Sequence, residues 1–144
     1  MKLTQAGFSL LELLIVLSII SIILAIPIRD FQKKTKNREL HFISQKIVSD
    51  LHFLRMQAIA SSCDHYIEFI ENAYAFIRLD AYDQKEIIYA EKRYPAAIFS
   101  NSVKLGFKYN GNTKYAGSLF LENIQGTRYK ITLAPVTGKI TLKI

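Results

Sequence analysis

The chain contains a single cysteine, Cys63, so no disulfide can form within it. This excludes the small disulfide-stapled scaffolds, although it does not exclude a location outside the cytoplasm. None of the histidines, His41, His52 and His65, has metal-ligand spacing with acidic residues or with Cys63. Cys63 and His65 are close in sequence, which is weak support for a catalytic pair because such pairs are formed by the fold. We expect Cys63 to be a small buried residue where a helix meets a sheet, and His41 and His52 to lie at a surface.

The sequence also lacks the motifs that accompany the common catalytic sites. It contains no G-x-S-x-G, no P-loop and no H-E-x-x-H. No internal repeat or low-complexity segment is present, and 144 residues allow one domain of ordinary size. We therefore expect a protein that is not an enzyme and that needs no cofactor and no metal. A membrane-anchored enzyme is the less favoured alternative, because no convergent catalytic set is visible.

Acidic residues are scarce in the last third of the chain. Residues 101–144 contain seven lysines and arginines against Glu122 alone, an excess of six positive charges in a chain of net charge +7. One interpretation is a solvated sheet surface. The other is a surface that binds DNA phosphates without sequence preference, with Tyr109, Tyr115 and Tyr129 as possible stacking partners. The candidate DNA contacts are Lys104, Lys108, Lys114, Arg128, Lys130, Lys139 and Lys143.

Near its start the sequence has a long apolar run. Residues 8–28 contain one charge, and as a helix they would span about 31 Å, the thickness of a bilayer core. A cleaved secretory signal fits poorly, because its apolar part is shorter and ends in a small-x-small site, whereas Pro27 and Arg29 follow here. A plain membrane anchor remains possible.

The one charge in this run is Glu12. A carboxylate at the centre of a bilayer costs about 2.5–3.5 kcal/mol on insertion scales, and less near the end of a span. Either Glu12 is tolerated among the lipid headgroups, or it awaits a positive group from a neighbouring chain in a helical assembly.

The order Gly7-Phe8-Ser9-Leu10-Leu11-Glu12, followed by the apolar run, resembles the class III signal of type IV pilins and pseudopilins. The resemblance implies that a prepilin peptidase cleaves between Gly7 and Phe8 and that Phe8 becomes N-methylated. It also implies that Glu12 is the assembly glutamate, which neutralises the N-terminal amine of a neighbouring subunit. The implied partners are other pseudopilins in a helical filament, the prepilin peptidase and an inner-membrane assembly platform.

The resemblance divides the chain into a leader (1–7), a transmembrane half-helix (8–28), an amphipathic half-helix (29–62) and a β-rich globular domain (63–144). It implies a single-pass protein of the cytoplasmic membrane, N-terminus inside, that later joins a surface or envelope-spanning filament. The charges argue for the opposite orientation, because the leader has only Lys2 whereas Arg29, Lys33, Lys34, Lys36 and Arg38 follow the span. We give the motif more weight than this statistical rule.

Beyond Pro27 the pattern predicts an amphipathic helical stretch from about Phe31 to Ser61, as part of one long helix kinked or loosened near Pro27. Apolar residues recur every three or four positions at Leu40, Ile43, Ile47, Leu51, Leu54 and Ala58. We expect this stripe to pack against a sheet, with a coiled-coil partner as the alternative. Polar residues, Asp50 among them, are expected to fill much of the remaining helix surface.

From His65 onward, short β-rich runs alternate with turns such as Asn110-Gly111. The fold class predicted is therefore α+β, a long N-terminal helix packed on a C-terminal antiparallel sheet, as in pilins. The predicted strands are His65–Ile70, Tyr74–Asp80, Glu86–Lys92, Val103–Tyr109, Gly117–Glu122, Arg128–Ala134 and Lys139–Ile144.

Several short pieces of the C-terminal half, from Phe107-Lys108-Tyr109 to Thr137-Gly138-Lys139-Ile140, resemble the GspH/FimT class of minor pseudopilins. Within that class the chain is most similar to the competence pseudopilins of Gram-positive bacteria, the ComGD type. The similarity is in the compact length of the chain, its Phe-Ser-Leu-Leu-Glu start and the stretch Ile87–Ile98. This implies a structural subunit of a DNA-uptake filament. A pseudopilin of a type II secretion system and a minor type IV pilin are the alternatives.

Overall fold

The computed structural model describes residues 9–25, 27–80, 82–83, 85–95 and 97–144, and of residues 24, 25 and 27–34 it describes the backbone alone. The chain divides into two compact units, residues 1–35 and 36–144. The first unit contains α1 (Leu10–Ala25) and the beginning of α2 (Pro27–Ser61). Proline suits the first position of a helix because its missing N–H has no helical partner there. Residue 26, at the kink expected near Pro27, lies outside the described residues.

The second unit contains the rest of α2 and a series of antiparallel strands. They are β1 (His65–Ile70), β2 (Ala73–Leu79), β3 (Glu86–Arg93), β4 (Ile98–Phe99), β5 (Val103–Phe107), β6 (Thr113–Tyr115), β7 (Gly117–Glu122), β8 (Arg128–Leu133) and β9 (Ile140–Lys143). Within the described part of the chain they form a five-stranded sheet, in the order β3-β2-β1-β5-β6, and a four-stranded sheet, in the order β4-β7-β8-β9. The layout is α+β, as predicted.

The apolar stripe of α2 forms the core of the second unit. All six stripe residues are buried, namely Leu40, Ile43, Ile47, Leu51, Leu54 and Ala58. They share one cluster with inward-facing residues of both sheets, for example Phe69 and Leu105 of the first sheet and Leu121 of the second. The stripe is thus covered by the sheets of its own chain, which confirms the core interpretation over the coiled-coil alternative.

The structure differs from the prediction in three places. The strands form two sheets where one was predicted, because β7 pairs with β4 and β8 and, among the described residues, with no strand of the first sheet; β4 and β6 were also missed, since with two and three residues they are too short to show a period. Asp50, expected on the polar surface of α2, is 5% exposed. Cys63 is partly exposed rather than buried, in the short segment between α2 and β1.

Candidate functional site

The first backbone hydrogen bonds of α1, which contains Glu12, are accepted by Ser9. The carbonyl oxygen of Ser9 accepts hydrogen bonds from the backbone N–H groups of Glu12, at 3.0 Å, and Leu13, at 3.2 Å. Ser9 therefore occupies the N-cap position, and Glu12 lies in the first turn of α1. Ser-x-x-Glu at these positions is the sequence of a capping box, in which serine and glutamate satisfy each other's backbone donors.

The Ser-x-x-Glu spacing of a capping box was missed in the sequence. A carboxylate is favoured in the first turn because the positive end of the helix dipole lies there. The helix dipole therefore gives Glu12 a local stabilising effect beside its predicted role in assembly, and a test of assembly must separate the two. The predicted cleavage pair, Gly7 and Phe8, lies outside the described residues.

The helix α1, which has Glu12 in its first turn, exposes apolar side chains on every side. The exposed positions run from Leu10, 78% exposed, to Ile23, 62% exposed. A helix that is hydrophobic all round is found in apolar surroundings, because each Å² of apolar surface left in water costs about 25 cal/mol.

Among the described residues, no helix is both long enough and apolar enough to cross a membrane.

Five of the seven predicted DNA-contact residues lie on strands, two in the first sheet and three in the second. Three of them have an acidic partner. Lys104 lies 3.5 Å from Glu68. Lys114 lies 2.7 Å from Asp64, and Arg128 lies 2.8 Å from Glu122. Lys108 and Lys139 are exposed outside the strands.

The remaining two, Lys130 and Lys143, are brought together by the second sheet. They are direct cross-strand neighbours on β8 and β9, and both are exposed. Neither makes an ion pair within the described part of the chain. Phe120 on β7 lies directly opposite Lys130 on its other side, and the Lys130 ammonium is 5.4 Å from the Phe120 ring centroid. Like charges directly opposite each other destabilise a sheet, so this lysine pair carries a local cost.

The three tyrosines proposed to stack on bases differ in accessibility. Tyr109 is 58% exposed. Tyr115 is partly buried and packs edge-on against Tyr66. Tyr129 is 7% exposed and lies against His41, so it offers no free ring face and the expectation for it is wrong.

His41 and His52 are exposed, as expected, whereas His65 is buried in a polar network. Its Nε2 lies 2.9 Å from Ser61 Oγ, and its Nδ1 lies 3.2 Å from the Tyr89 hydroxyl. Burial lowers the pKa of His65, and Arg78, directly opposite on β2, lowers it further, while Asp64 opposes the shift. The neutral imidazole of His65 therefore connects the end of α2 to β3 through these two hydrogen bonds. Among the described residues, no group of three or more His, Cys, Asp or Glu could hold a metal.

A second polar centre, around Asp50, was not predicted. The Tyr74 hydroxyl donates to Asp50 Oδ2 at 2.6 Å, and Lys92 Nζ donates to the same oxygen at 2.7 Å. Lys46, one turn earlier on α2, lies 3.7 Å from Oδ1. Burial and the bond to Asp50 raise the pKa of Tyr74, so its hydroxyl remains a donor. No spacing in the sequence connects these residues, because three separate elements bring them together.

Residues 2–26 match the prokaryotic N-terminal methylation motif. The match supports a type IV pilin-like protein, and the helix-then-sheet layout is consistent with the pilin-like fold. It implies processing by a prepilin peptidase and assembly with other pilins. No curated protein and no solved structure gives a significant match.

Proposed function

We propose that this chain is a minor pseudopilin, a structural and non-catalytic subunit of a type IV pilus-like filament. The observation that carries the proposal is the methylation motif over residues 2–26. The α+β layout, with an amphipathic helix seated on antiparallel sheets, supports it.

In this proposal a prepilin peptidase cleaves between Gly7 and Phe8, and Phe8 is N-methylated. Before assembly the chain is held in the cytoplasmic membrane by residues 8–28, with the globular part outside. An inner-membrane platform then moves it into the filament. The exposed apolar side chains of α1 support this sequence of events, because they need apolar surroundings that lipid and then neighbouring helices would supply.

Glu12 is proposed to pair with the N-terminal amine of a neighbouring subunit. In a dry helical bundle such a pair adds little net stability, since both groups lose their hydration. It sets register, because a subunit in the wrong position leaves a buried charge without a partner.

We propose that the filament takes up DNA during competence, the state in which bacteria are transformed. The support is the resemblance of the C-terminal half to the GspH/FimT class and, within it, to the ComGD type. A type II secretion pseudopilin and a minor type IV pilin share the same processing and assembly chemistry and are the alternatives.

The test is intact-mass and N-terminal peptide analysis of the chain from its native membrane, with and without a functional prepilin peptidase. A mature chain that starts at N-methylated Phe8, and only when the peptidase is active, is the expected result. A chain that still starts at Met1, or is cut after Pro27, would overturn the pseudopilin assignment.

A second candidate function is DNA contact by the globular part. The lysine pair, Lys130 and Lys143, favours it, because an unpaired like-charge pair beside Phe120 is costly to keep without an anionic partner. Phosphate contacts would make binding independent of sequence and sensitive to salt. The test is fluorescence anisotropy of labelled DNA with the full chain in detergent. Absence of salt-sensitive binding at low ionic strength would contradict this function.

A further inference from the structure

A groove of about 300 Å³ lies between α2 and β3. Lys46, Asp50 and Phe53 line it from the helix, and Tyr89, Ala90 and Lys92 line it from the strand. A depression of about 390 Å³, lined by Phe53, Met56 and Ala60, continues along α2. Phe53 lines both, so the two depressions are adjacent, and together we call them the α2–β3 groove.

The floor of the α2–β3 groove is apolar and open to solvent. Phe53 is 52% exposed, Met56 is 70% exposed and Tyr89 is 42% exposed. Exposed apolar side chains that line a concave surface and are rimmed by polar residues can be covered by a partner. The groove therefore fits an apolar side chain of a partner.

The rim of the groove has an excess of positive charge. The Oδ2 atom of Asp50 already accepts hydrogen bonds from Tyr74 and Lys92. Lys46 Nζ lies 3.7 Å from Oδ1, beyond hydrogen-bond distance, and its side chain is 45% exposed. Two ammonium groups thus share one buried carboxylate. Lys46 retains donors for a further acceptor at the open side of the groove.

We propose that the α2–β3 groove docks a different and acidic subunit of the filament. An apolar side chain of that subunit fills the space beside Phe53, and its carboxylate accepts from Lys46. The inference rests on the proposed function. A second copy of this chain is a poor occupant, because its net charge is also +7 and its own groove rim is basic. Like charges brought together at an interface oppose association.

The experiment places the photo-crosslinking residue p-benzoylphenylalanine at Met56 of the full chain in its native cells. We expect an adduct with another protein that carries the N-terminal methylation motif. The crosslinked peptide should hold an Asp or Glu within one helical turn of an apolar residue. An adduct with a second copy, with lipid or with a peptide lacking a carboxylate would overturn the proposal, as would no adduct.

Charge variants make the test specific. Lys46→Glu should reduce the adduct about tenfold, and Lys46→Gln should reduce it less, because a neutral side chain does not repel a carboxylate. Lys36→Glu makes the same charge change on an exposed part of α2 outside the groove, and it should leave the adduct unchanged. An equal loss in Lys36→Glu and Lys46→Glu would overturn the proposal. Near-ultraviolet circular dichroism of each variant checks that it folds.

The two proposals fail separately in this experiment. The same cells report whether the chain is processed to methylated Phe8. Processed chain without the expected adduct contradicts the docking surface alone, whereas unprocessed chain contradicts the pseudopilin function itself.

Discussion

The phenolic hydroxyl of Tyr74 donates a 2.6 Å hydrogen bond to Oδ2 of Asp50, a carboxylate that α2 carries into the core. This bond joins the helix to β2 across the main cluster of apolar side chains. A buried carboxylate needs such donors, because its hydration is lost on folding.

Removal of this donor should destabilise the globular unit. Tyr74→Phe keeps the ring in the core and leaves Asp50 with one strong donor fewer, so we expect a loss of about 1–3 kcal/mol in unfolding free energy. The measurement is denaturant unfolding of the full chain in detergent. Tyr82→Phe is the control, because Tyr82 is 99% exposed. Equal stability of the two variants would show that the bond contributes nothing.

Gly106 allows β5 to approach β1 closely. A Cβ at this position would lie 2.6 Å from the His65 carbonyl oxygen and would collide with the Cβ of Tyr66. The backbone must therefore shift, and we expect Gly106→Ala to cost about 3 kcal/mol. Gly126→Ala is the matched control: φ there is +78° but no atom lies within 4 Å, so strain of about 1 kcal/mol is expected. A larger loss in the control would contradict this reading of the β1–β5 contact.

The elements with a clear period could be predicted from sequence. The helical stripe from Leu40 to Ala58 and the alternation of Tyr129, Ile131 and Leu133 in β8 have their hydrophobic period in the sequence itself. The Asp50 centre could not be predicted, because its residues come from α2, β2 and β3 and meet only in the fold. The same holds for the lysine pair, which depends on the register between β8 and β9.

The motif at residues 2–26 could be recognised from the sequence because it is local, whereas the roles of its individual residues stay predictions. Gly7, Phe8 and Glu12 are recognised by order and spacing, which need no tertiary structure. What spacing alone left open was whether Glu12 acts through its charge or through the capping of α1.

The stability of the globular unit should fall as the pH drops below 6.5. The pKa of His65 is lowered in the fold by burial and by Arg78, so in the window below 6.5 the unfolded chain binds the proton first. Its contribution is complete above pH 6.5 and is lost as the pH falls toward the lowered value. Thermal unfolding of the full chain across this window measures the slope. His65→Gln should flatten it, and an unchanged slope would assign the pH dependence to other groups.

Two substitutions of Glu12 separate its two roles. Glu12→Gln removes the charge but keeps a side chain that can complete a capping box, whereas Glu12→Ala removes both. If Glu12 pairs with a neighbour's amine, both variants should enter filaments at least about tenfold less than the native chain, because the amine is left buried and unpaired. Filament incorporation is measured in the sheared fraction. Membrane insertion and cleavage before Phe8 should be unchanged, and normal incorporation of Glu12→Gln would leave capping as the role.

The lysine pair should account for part of any salt dependence of DNA binding. Lys130→Gln and Lys143→Gln each remove one potential phosphate contact, so each should reduce the slope of log affinity against log salt by about 0.9. The measurement is anisotropy of labelled DNA with the full chain in detergent, between about 50 and 200 mM salt. Lys104→Gln, which removes a lysine already paired with Glu68, should change the slope less. Equal effects of all three would indicate a diffuse basic surface. Lys130→Gln and Lys143→Gln should also leave the free energy of unfolding unchanged or raise it, because each relieves the like-charge contact across β8 and β9.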